Sequence, residues 1–70
     1  MNKQEIVETI QEITGMAIVL GLTAPEHIRN YHTVFSNKFG DDIMNAFYTT
    51  TLNKQTPIYH MIKQALEATR

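Results

Sequence analysis

The chain is predicted to be all-α: a compact bundle of three to four short helices with a long N-terminal helix. Two features carry this. Apolar residues recur at steps of three and four along nearly the whole length, and Gly, Pro and Asn punctuate that periodicity into four stretches. The composition agrees, because 70 residues with 43% apolar and 19% charged side chains describe one folded domain over 1–70 rather than a disordered or low-complexity chain.

The first helix is predicted from about Lys3 to Leu20. Ile6, Ile10, Ile13, Ala17 and Leu20 form a seam on one face, while Glu5, Glu8 and Glu12 lie roughly opposite. Gly21 is a plausible stop. Thr23-Ala24-Pro25-Glu26 reads as a capping box, in which the Thr23 hydroxyl accepts from the Glu26 amide and the Glu26 carboxylate reaches back. The second helix would then run to Gly40 with Ile28, Tyr31, Phe35 and Phe39 inward and His32 at the edge of the core. Asp41 is placed as the N-cap of a third helix built on Ile43, Met44, Phe47 and Tyr48, whose end is blurred by Thr49-Thr50-Thr51. A loop is expected at Asn53-Lys54-Gln55. Thr56 as cap and Pro57 as first residue open the last helix, where Ile58, Met61, Ile62, Ala65 and Leu66 keep strict helical spacing. Strands over 17–22 or 47–52 would lack a convincing partner.

Several function classes fit poorly. No Cys means no disulfide framework and no thiolate metal site. His27 and His32 are five apart, and without an i, i+4 pair there is no nucleus for a metal centre; no cofactor is expected. Asp41 and Asp42 point in different directions at a helix start, and Ser36 has no elbow glycines around it. Gly15, Gly21 and Gly40 are isolated, so no phosphate-cradling loop is present. The chain is therefore expected not to be an enzyme. Met1–Glu5 lacks the basic-then-apolar order of a secretion signal, and the apolar run from Met16 to Leu22 is too short to span a bilayer. The expectation is a soluble cytoplasmic protein without membrane contact.

Charge is unevenly spread. Residues 1–26 hold one Lys and four Glu, whereas residues 27–70 hold five Lys/Arg and three acids. A nucleic-acid contact through Arg29, Lys38, Lys54 and Lys63, with Tyr31 or Tyr59 stacking on bases, is one alternative. A small anionic ligand such as a nucleotide, held by His, Arg and Tyr at an inter-subunit groove, is another. The basic residues never cluster, which favours neither.

The leading expectation is protein docking. Met16, Ile18, Val19 and Leu22 cannot all face a core reached through the Ile6–Leu20 seam. An exposed apolar patch there, bordered by Glu8 and Glu12, would mark an interface, with self-association to a homodimer or higher oligomer. The role expected is a small regulator or inhibitor of a larger protein. Small size, no Cys and no catalytic motif are typical of accessory or inhibitor proteins of phages and mobile elements, a likeness of type that assigns no residue.

Overall fold

A computed structural model describes residues 2–69. It is all-α, with α1 (Lys3–Val19), α2 (Pro25–Arg29), α3 (His32–Phe39), α4 (Asp41–Thr51) and α5 (Pro57–Ala68) and no strand among the described residues.

Asn2 opens α1, its side-chain oxygen accepting from the Glu5 amide at 2.8 Å. The helix ends in a Schellman motif. Gly21, at φ +75°, donates to the Ile18 carbonyl, and the Leu22 amide donates back to Ala17. That turn folds Leu22 over the end of α1 and into the core, where it is 8% exposed. Leu22 is thus an internal residue and not part of a surface patch. The expected patch shrinks further because Met16 and Ile18 pack half-buried against the core, leaving Val19, 86% exposed, as its main remnant.

The single helix expected from Pro25 to Phe39 is two. The amides of Asn30 and Tyr31 bond three residues back, to His27 and Ile28, and Tyr31 leaves the helical region at φ −112°, ψ +30°. Ile28 and Phe35 stay fully buried on either side of this kink, while Tyr31 swings outward instead of into the core. The capping box does not form: Ala24 is the N-cap of α2 and makes no side-chain bond. Glu26 is used elsewhere, by Lys54 and Tyr59. Thr23→Ala should therefore change the melting midpoint by less than a few degrees, well short of the about 1 kcal/mol of a true cap. Thermal circular dichroism checks this, and a drop of the full size would restore the capping role.

Gly40 occupies the corner between α3 and α4. At φ +96° it ends one helix, donating to Ser36, and its carbonyl starts the next, accepting from Met44. Asp41 is accordingly the first residue of α4 and not its cap. The threonine run continues α4, with each hydroxyl folded back onto the carbonyl four residues before it, Thr49 to Asn45, Thr50 to Ala46 and Thr51 to Phe47. Thr56 caps α5 as expected, accepting from the Tyr59 amide at 3.2 Å and donating to the carbonyls of Thr50 and Asn53.

Helix α5 is wedged between α1 and α4 and also touches α2, while α3 packs on α4. Ile10, Ile13, Ala17, Ile28, Phe35, Met44, Phe47, Ile62 and Leu66 meet in one contiguous core. The radius of gyration of 11.0 Å equals the ~11 Å expected of a compact chain this long. Helices α1 and α4 each pack on α5, and an open hollow lies between their facing sides from Ile6 to Ile13 and from Ile43 to Thr50. That gap is lined mainly by apolar side chains.

Candidate docking groove

The gap is an apolar groove of about 190 Å³. One wall is α1, through Ile6, Thr9, Ile10 and Ile13; the other is α4, through Ile43, Ala46, Phe47 and Thr50; Ile58 closes one end from α5. Helical phase explains the walls. On α4, Met44, Phe47 and Thr51 turn to the core, and the adjacent stripe of Ile43, Ala46 and Thr50 is left facing α1 across the groove. Ile6 is the exposed end of the α1 seam at 40%, so the seam is not uniformly buried. The threonines of the walls do not make the groove polar, because Thr9 and Thr50 spend their hydroxyl protons on the Glu5 and Ala46 carbonyls.

A different cluster lies where α2, α3 and α4 meet. His32 Nδ1 is 2.8 Å from the Tyr48 hydroxyl, and His32 Nε2 is 3.3 Å from Asp41 Oδ1. The Arg29 guanidinium sits 5.9 Å above the Tyr48 ring. Burial raises the Tyr48 pKa, with Arg29 opposing and Asp41 adding to the rise. His32 thus bridges the Tyr48 hydroxyl and the Asp41 carboxylate through its two ring nitrogens. The order Asp–His–Tyr resembles a proton relay, yet the His32 and Asp41 side chains are 40% and 73% exposed. The neighbouring hollow of Arg29, Asn45, Tyr48, Thr49 and Leu52 is flat and does not shut out water. The cluster works as a strut tying α3 to α4.

The residues proposed for anionic contacts do not converge. Lys54 pairs with Glu26 at 3.3 Å, and Tyr59 is buried with its hydroxyl donating to the same carboxylate, so its ring is not available for base stacking. Glu26 has a lowered pKa, chiefly from a bond to its own backbone amide, then from Lys54 and Tyr59, with burial opposing. Tyr31, Lys38 and Lys63 are exposed, at the N-cap of α3, within α3 and on α5. Among the described residues no three His, Asp or Glu side chains gather to hold a metal ion, and no helix is long and apolar enough to cross a membrane. Among the described residues every buried side-chain polar atom has a partner.

Sequence reasoning missed the groove, although the Ile43-Met44 pair held a signal: two large apolar neighbours about 100° apart on a helix cannot both face one core. For the His32–Tyr48 contact, sixteen residues apart, there was none.

What the fold and groove define is a small all-α bundle with an open apolar cleft between two helices. Compared with known proteins, the chain matches no family model, no curated protein and no solved structure.

Proposed function

We propose that this protein is a non-enzymatic docking module, a small regulator or inhibitor that acts by receiving an apolar helix of a larger protein in the α1–α4 groove. The observation that supports it most is the groove itself. At about 190 Å³ it is smaller than the ~300–1,000 Å³ of drug-sized ligand and cofactor sites. A few inserted side chains fill it. The walls run from Ile6 to Ile13 and from Ile43 to Thr50, each about 10 Å or two turns at 1.5 Å per residue. That is the span of the i, i+3, i+4 and i+7 anchors of a helix laid in a groove. The α1 end, reduced to Val19 and a half-exposed Leu20, is too small for a stable interface of ~20–30 residues a side.

Ala46 gives the test. It lines the groove, is exposed, and takes no part in the core, so a longer side chain there leaves the fold intact. Ala46→Glu makes the floor charged, and docking would then have to desolvate a carboxylate. A model helix with Leu at the four anchor positions, titrated into isotope-labelled protein, should shift the resonances of Ile6, Ile43, Ala46 and Ile58. Ala46→Glu should weaken it at least about tenfold, or about 1.4 kcal/mol. Shifts centred on Val19 and Leu20 would move the docking surface to the end of α1.

A further inference from the structure

The borders of the groove carry information that its floor does not. On α1, Thr9 is the outermost lining residue, and its neighbours one turn away on the solvent side are Glu5 and Glu12. On α4, Asp42 stands one turn before Ala46 on the outer edge of the other wall. All three acids are exposed, and among the described residues none is in a salt bridge. The adjacent Asp41 points the other way, to His32. No basic residue lines the groove among the described residues, and Lys54 is committed to Glu26. The groove is therefore an apolar floor between two acidic banks.

From this charge pattern we infer that the occupant is an amphipathic helix of another protein whose apolar stripe is flanked on both sides by lysine or arginine. The inference rests on the docking reading above and adds the chemistry of the partner. Acids on both banks face the two flanks of a helix lying lengthwise, so one row of cations on each side is the complement. A second copy of this chain fits badly, because a two-fold contact through the groove sets the same acids against one another. An anionic lipid surface is repelled by the same three groups.

A displayed library of amphipathic helices decides it. Each member carries Leu at the four anchor positions and Lys, Arg, Glu or Ser at the flanks, and selection is made on the intact protein with a counter-screen on Ala46→Glu. Basic flanks should dominate the selected peptides. The best of them should lose about tenfold in affinity when Glu5→Gln, Glu12→Gln and Asp42→Asn are combined, since three partly exposed pairs together supply about that much. Its binding should also weaken as salt rises toward physiological strength, where the screening length is ~8 Å. Selected flanks that are acidic or unbiased overturn the inference and leave the docking reading standing. Peptides that bind Ala46→Glu as well as the unchanged protein, or an empty selection, overturn both. Concentration-dependent shifts at Ile6, Ile43 and Thr50 without peptide would make a second copy the occupant and also overturn the inference.

Discussion

Phe35→Ala is expected to remove a large part of the chain's stability and to lower its melting midpoint steeply. Phe35 is fully buried, the largest side chain so enclosed, and stacks on Phe39 with ring centroids 6.4 Å apart. Truncating a buried Phe costs about 3–5 kcal/mol, from lost transfer energy and the cavity left behind. A chain of 70 residues, at ~0.05–0.15 kcal/mol per residue, holds only about 3.5–10 kcal/mol in total. The loss is a large part of that sum. It corresponds to a fall in the melting midpoint of more than about 12 °C, at ~4–8 °C per kcal/mol for a domain of this size. Helical circular dichroism against temperature measures it directly. A midpoint within about 5 °C of the unchanged protein would mean that Phe35 is not at the centre of the core.

The second large effect is a contrast between two isoleucines one heptad apart. Ile13 is fully buried and serves both the core and the groove wall, whereas Ile6 lines only the groove and is 40% exposed. Ile13→Ala should cost about 2–5 kcal/mol, and Ile6→Ala clearly less, because Ile6 stays 40% exposed in the fold and Ile13 is fully enclosed. Urea midpoints of the two variants, read at a common m-value, give both numbers. Equal losses would mean that the seam is evenly buried and that the groove is closed in solution. With Ile6→Ala folded, any loss of peptide binding in that variant belongs to the groove itself.

That contrast also marks what the sequence discloses. The apolar spacing of α1, the Thr56-Pro57 start of α5 and the breaks at Gly21 and Gly40 are local, and they stand in the structure where the residues place them. Local signals mislead where a competing contact intervenes. Glu26 has the right position for a capping box, but Lys54 and the Tyr59 hydroxyl, both distant in sequence, draw its carboxylate away from Thr23. Leu22 counts as surface on a helical wheel, yet the Schellman turn takes it off the wheel and into the core. The docking site was the least legible part. Periodicity shows that α4 has a second apolar stripe, but that this stripe faces α1 across a gap depends on how far α5 holds the two helices apart.

The wedge position of α5 has a consequence for how the protein comes into being. A ribosome makes the chain from its N-terminus, and domains complete their folding once the segments they need have emerged. Here Tyr59, Ile62 and Leu66, the buried residues of α5, are synthesised after the core residues of α1 to α4. Until they leave the exit tunnel, Ile10, Ile13 and Ala17 have no α5 to pack against and stay wetted or loosely collapsed. The nascent chain thus presents a greasy first helix until α5 emerges, and the core closes on α1 in one late event instead of by progressive assembly. Any factor that grips apolar helices has its best opportunity during that interval, before the keystone drops in.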